Sequence, residues 1–321
     1  MSCGLSSVHM PFAIVVDMEG TVNRLSMNGL IRCALAGTLV SASFLSTAVA
    51  SQRDQAAKCQ PVGPLVGMPG LAEASGIAVS RRTPGRLWAH NDGEPVLFSL
   101  NEQGAVTGRV QLTGAKLEDF EAIAVGPCGT ASCLYIGDIG DNEGKRKRIT
   151  VYRMSEPEAA SGSAAVSEAF HATYPDGAHD AEALLIGGDG RLYVVTKGDT
   201  GPIAIYRFPA ALRSGASVVL EPVGAPLAKK PAAESRVTDG AVSPDGQTAV
   251  LRTRSSLVVY RSAELLAGQW RETSRIDLTS LKEPQGEGVA IGAGGTIYVA
   301  GEGGGKAQPG TFARFTCASA S

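Results

Sequence analysis

The sequence predicts an all-β chain folded as a single β-propeller of five four-stranded blades, and three observations predict it. One pattern recurs five times along the chain. Glycine is abundant, at 40 of 321 residues, while aromatic residues are few. Short apolar runs with β-branched residues are each broken by glycine or proline turns, the mark of strands.

The five copies are SGIAVSRRTPGRLWAHND (75–92), EAIAVGPCGTASCLYIGD (121–138), EALLIGGDGRLYVVTKGD (182–199), DGAVSPDGQTAVLRTRS (239–255) and EGVAIGAGGTIYVAGEGG (287–304). Each holds a polar residue, a small residue, an apolar run, a turn and a second apolar run. A third run follows: VLFSLN (96–101), ITVYRM (149–154), IAIYRF (203–208), LVVYRS (257–262) and TFARFT (311–316). A fourth, weaker run follows in the first four copies, as in GRVQLTG (108–114). Four strands per unit, at intervals of about 46 to 61 residues, are propeller blades. The fifth copy lacks a fourth strand, and CQPVGPLVG (59–67) can supply it. That closure leaves no free sheet edge.

The N-terminus reads as an export leader. Met27 to Ala50 carries Arg32 near its start, an apolar stretch, and a small-x-small end at Ala48-Val49-Ala50. Translation is expected to start at Met27, with cleavage after Ala50 leaving Ser51 first. No stable membrane span is expected after cleavage. The expected organisation is therefore a leader over 1–50, an N-terminal segment with the closing strand over 51–70, the propeller over 71–317 and a tail over 318–321. The protein would be periplasmic or secreted and act as a monomer.

Six cysteines are present, and Cys3 and Cys33 belong to the leader. An even remainder in an oxidising compartment reads as disulfides. Cys128 and Cys133 flank a short loop that one bridge can close, so Cys59 and Cys317 pair by elimination. Ring closure by residues 59–67 asks for the same pair. Neither pair has the tight spacing that zinc prefers.

In such a blade the start of the first strand and the end of the second lie at one mouth of the central channel. The first position carries Ser75, Glu121, Glu182, Asp239 and Glu287; two residues earlier stand Glu73, Asp119, Asp180, Val237 and Gln285. At the exits of the second strands come His90, Asn91 and Asp92, then Asp138, Lys197, Arg252 with Arg254, and Glu302. Clustered carboxylates repel unless compensated. Calcium, which takes six to eight oxygen ligands in irregular geometry, is the expected ion. Glu121, Asp138, Glu182, Asp239, Glu287 and Glu302 are its expected ligands, with Asp141 and Asn142 as helpers. His90, Asn91, Lys197, Arg252 and Arg254 are expected to hold the ligand. The competing reading makes each acid a brace between blades.

Other signals are weaker. The net charge of −2 gives no bias toward nucleic acid, and GKRKR (144–148) reads as a solvated loop. Ser75, His90 and Asp92 could form a triad, but no nucleophile elbow surrounds Ser75. His171 and His179 lie in a connection without metal-ligand company. No phosphate-cradling loop or dinucleotide fingerprint occurs.

The phrases EASGIAVSRRTPGRLWAHND, EAIAVGP with LYIGDIGDN, YPDGAHDAEALLI, VTDGAVSPDGQTAVLR and QGEGVAI resemble a group of secreted bacterial propellers, loosely termed phytase-like or esterase-like. The resemblance spans residues 71–304 and implies export and a propeller fold. It directs attention to Glu121, Asp138, Asp141, Glu182, Asp239 and Glu287. Propeller phytases hold phosphoesters with calcium, lysines and arginines at the mouth. Two functions are therefore expected in order. The first is a module that binds a divalent cation with a small anionic molecule, a glycan or an envelope protein. The second is a metal-dependent phosphoesterase, in which a metal lowers the pKa of a bound water and Glu182 accepts its proton.

Overall fold

The computed structural model describes residues 59–317. The leader with its start at Met27 and cut after Ala50, together with Cys3, Cys33 and the tail over 318–321, lies outside these residues. Nearly all the regular structure is β, in five sheets that follow one another along the chain as blades. Among the described residues no helix is long and apolar enough to cross a membrane.

Blade one is built from Ala74–Val79, Arg86–Asn91, Val96–Asn101 and Val106–Thr113. Blade two uses Phe120–Cys128, Ala131–Asp138, Ile149–Ser155 and Glu168–Thr173. Blade three uses Ala181–Ile186, Leu192–Thr196, Ile205–Arg207 and the two-residue Glu221–Pro222. Blade four uses Val237–Val242, Thr248–Thr253, Ser256–Arg261 and Glu272–Asp277. Blade five uses Gln285–Ile291, Thr296–Glu302 and Gly310–Cys317.

Two features go beyond four strands per blade. Gly162–Ala165, from the loop inside blade two, runs parallel to the outer strand of blade one; Ser217–Val219 does the same for blade two. Both cover an edge that would otherwise be free. The closing segment is broken in two. Cys59–Pro61 and Val66–Met68 each pair antiparallel with Gly310–Cys317, setting Cys59 opposite Cys317. Cys59–Cys317 and Cys128–Cys133 are both disulfide-bonded.

Alternation along each strand sends successive side chains to opposite blade faces. The apolar core is accordingly split into five clusters, one between each pair of neighbouring blades. Trp88 of blade one packs with Phe120, Leu134 and Met154 of blade two. Leu87 and Ala89 turn the other way, to Tyr298 and Phe312 of blade five. One polar knot joins blades one and two. Glu156, almost fully buried, accepts hydrogen bonds from the Ser80 hydroxyl, Trp88 Nε1 (3.1 Å) and Ser132 Oγ (2.6 Å). The amides of Arg81 and Arg82 donate to its second oxygen, at 3.3 and 3.2 Å.

Candidate functional site

Every first strand slips register near its start. In blades two, three, four and five the pairing skips one residue, at Glu121, Glu182, Thr238 and Glu287. In blade one it skips Ser75 and Gly76. A β-bulge of this kind frees one side chain from the ladder and re-aims it. Five bulges at one level therefore make a ring of Ser75, Glu121, Glu182, Thr238 and Glu287.

This ring corrects the expected one. Asp239 is not equivalent to the glutamates; Thr238 is. Asp239 is paired in the ladder with Arg252, one residue beyond the bulge. Its carboxylate accepts the amides of Gly240 (2.7 Å) and Val289 of blade five (2.8 Å), so it braces two blades. The two hydroxyls brace as well. Thr238 Oγ1 donates to the Glu287 carbonyl at 2.9 Å, and Ser75 Oγ to the Glu121 carbonyl at 3.1 Å. Ser75 Oγ also lies 3.1 Å from the Glu121 carboxylate.

Five further residues are likewise engaged within the protein. Asp138 accepts the amides of Glu118 (3.0 Å) and Asp119 (2.8 Å) on one oxygen and pairs with Arg146 at 2.9 Å on the other. Its charge is therefore met by the protein. Arg146 belongs to the GKRKR run read as solvated, yet its side chain is only 13 % exposed and it also donates to the Gly140 carbonyl. His90 is fully buried between blades one and two, stacked on Phe120 at 3.5 Å. Asn91 donates to the Gly70 carbonyl and Glu94 and accepts the Glu73 amide, so its side chain is spent on loop geometry. Arg252 is fully buried. It donates to the Gly288 and Ala300 carbonyls at 2.6 and 2.7 Å and pairs with Glu283 at 2.6 Å.

His90 has a measurable signature. Burial pulls its pKa down from the ordinary 6.5 to about 3. The folded protein then stays neutral there while the unfolded chain takes up a proton below pH 6.5. Stability is intact above that pH and falls as the pH drops toward 3. Between pH 6.5 and 4.5 the loss from this group is about 2 kcal/mol. Denaturant melts at the two values should show His90→Gln losing less than wild type by that amount; equal losses would disprove the assignment.

The three ring glutamates are themselves buried at the bulge level. Lys197, 22 % exposed, reaches between blades two and three. Its ammonium contacts Glu182 and lies 3.3 Å from Asp180 and 3.2 Å from Asn142 Oδ1. Burial disfavours the lysine charge, but Glu182 and Asp180 outweigh burial and hold the pKa above its usual value. Burial pushes Glu182 up to about 8 despite Lys197. Burial, with Glu182 and Asp119 beside it, holds Glu121 well above the usual carboxylate range. Burial pushes Glu287 up to about 7, opposed by Gln285, whose Nε2 donates at 2.6 Å to both Glu287 and Glu302. Burial, Asp92 and Glu73 raise Glu302, while the charge of exposed Arg254 opposes them. The Asp141 carboxylate is turned onto the amides of Lys145 and Arg146, and its own amide donates to Asp180 at 2.7 Å. Among the described residues no three His, Cys, Asp or Glu side chains are grouped to hold a metal ion. Of the residues expected to ligate calcium, Asp138 and Asp239 face protein donors and Glu182 faces Lys197.

Gln285, Glu283 and Arg146 are the residues that the sequence did not assign to these partnerships. His179 also has company: its Nε2 lies 3.0 Å from Asp176 and 3.0 Å from the Tyr206 hydroxyl, which donates to Asp176 at 2.7 Å.

No protein-family model and no curated protein matches the sequence. Solved structures do. Glutaminyl cyclase of Myxococcus xanthus aligns at 12 % identity and a TM-score of 0.45, covering 82 % of this chain and 98 % of that one. Aldose sugar dehydrogenase of Streptomyces coelicolor, in a PQQ-bound form, aligns at 10 % and 0.43, covering 82 % and 98 %. A gluconolactonase of Xanthomonas campestris aligns at 13 % and 0.43, covering 77 % and 73 %. None of these three is a phytase, and any functional argument rests on this chain's own residues.

Proposed function

We propose that this protein is an exported binding propeller whose bulge-ring mouth takes a positively charged nitrogen carried by a small polar ligand. The supporting observation is the ring itself. Three glutamates from blades two, three and five share the bulge level, and the Lys197 ammonium contacts one of them, Glu182. That internal ammonium supports a cationic nitrogen as the group such a mouth would take. With Arg252 withdrawn into the blade, carboxyl groups outnumber cationic side chains at the mouth. Glu73, Asp92, Asp119, Asp180 and Glu302 add to the three ring glutamates, against Lys197, Arg254 and Lys306. A bound cation would favour the ionised form of these carboxyls, which a phosphoester or other anion would not. The two disulfides fit the oxidising compartment that export implies.

Thermal melts in EDTA, in calcium, and in 1,4-diaminobutane at matched ionic strength test this. At about a hundred times its dissociation constant a ligand adds about 2.7 kcal/mol, a clear rise in midpoint. The diamine should raise the midpoint, and Glu121→Gln with Glu287→Gln should abolish the rise. A rise with calcium that EDTA reverses would replace the amine with a metal. No shift with either would end the binding reading and leave the glutamates as braces.

A further inference from the structure

The first strands run from the bulge ring to the other end of the channel, about 13 Å away over four residues. There the chemistry reverses. A cavity of roughly 460 Å3 is lined by all five blades, including Ile77, Ile123, Leu184, Ala241 and Ile291. That size lies within the ~300–1,000 Å3 typical of small-molecule sites, which are mostly apolar with a few placed polar groups.

The polar side chains on this rim are few and unequal. Glu102 is its one carboxylate, and it accepts a hydrogen bond from the Tyr298 hydroxyl at 2.9 Å. The Ser80 hydroxyl is spent on Glu156. Three arginines stand on or near the loop that crosses the rim. Arg82 pairs with Glu158 at 2.7 Å, and Arg86 donates to the Glu158 carbonyl at 2.6 Å. The Arg81 guanidinium is exposed and has no hydrogen-bond or ion-pair partner among the described residues. Its backbone is nevertheless fixed, because its amide donates to the buried Glu156. A free cation on an anchored main chain, beside a cavity whose side chains are mostly apolar, suits an anionic head group.

We propose that this end of the channel is a second binding site, for an amphiphile with an apolar body in the cavity and one anionic head, such as a carboxylate, on Arg81. The site is separate in position and in chemistry from the acidic mouth and does not depend on what binds there.

Decanoate and decanol are the probes, used with the intact protein by calorimetry or equilibrium dialysis. Wild type should bind decanoate. Arg81→Ala should weaken decanoate at least tenfold while leaving decanol unchanged, since only the charged head meets the guanidinium. Ala241→Leu, which fills part of the cavity, should weaken both. Glu121→Gln with Glu287→Gln at the other mouth should change neither. The proposal is overturned if decanoate does not bind. It is equally overturned if Arg81→Ala leaves decanoate binding intact, or if the mouth variant abolishes it. Arg81 is exposed, so its variant reads binding without loss of the fold.

Discussion

Arg252→Met is expected to destabilise the protein by about 3–5 kcal/mol, read as a fall in the urea midpoint. The arginine lies wholly inside the interface between blades four and five. Removing it strands three acceptors: the Glu283 carboxylate, itself buried, and the carbonyls of Gly288 and Ala300. The cost is chiefly that of an uncompensated buried charge, and the lost attraction is the smaller part. The site is also shaped for the guanidinium, since a side chain at Gly286 would collide with it. Removing both charges, as Arg252→Met with Glu283→Leu, should recover a large part of the loss. A single variant that costs under about 1 kcal/mol, or a double variant no better than the single, would show that Arg252 is not a brace.

Replacing Cys59 and Cys317 together by serine is expected to cost about 5 kcal/mol, near the top of the range for one bridge. The two cysteines are 258 residues apart, so the bond closes almost the whole described chain into a loop. It also pins Cys59–Pro61, a short strand with little apolar burial, onto the last strand of blade five. The same exchange at Cys128 and Cys133, five residues apart, should cost only about 2 kcal/mol. Equilibrium unfolding of the two double variants gives the comparison directly. Equal losses would mean that the long bridge does not hold the ring shut. Limited proteolysis adds a second reading, because the variant lacking the long bridge should be cut first near residues 59–68.

The two losses belong to different links of the same ring. One is a contact between neighbouring blades; the other joins the ends of the chain. A propeller whose core is divided into separate clusters between blades has no central core to tolerate a failed interface. Either failure exposes the flanking clusters to water, and Arg252 also lies beside Glu287 of the ring, whose neighbour Gly288 it bonds. Reduced ligand response in these variants therefore has to be judged against their melting midpoints.

Much of the fold was legible in local sequence. VLFSLN became Val96–Asn101, and ITVYRM lies within Ile149–Ser155, because apolar β-branched runs between glycine turns have few other ways to bury their side chains. The count of five blades, the ring closure and both cysteine pairings followed from repetition and parity. Four of the five ring positions were also legible: Ser75, Glu121, Glu182 and Glu287 occupy the repeated place that the pattern assigns them. What the tertiary structure alone decided was register and partnership. A bulge shifts a strand by one residue without any change in composition, so DGAVS aligned with EGVAI on paper while Thr238, not Asp239, took the ring position. One residue is enough to turn a side chain from the channel into the ladder. Partnership is set by contacts across blades. Arg252 met Glu283 and Asp138 met Arg146, so two residues assigned to the mouth were spent inside the walls. Charge type and repeat position can be read along a chain, but whether a charge is free depends on what folds against it.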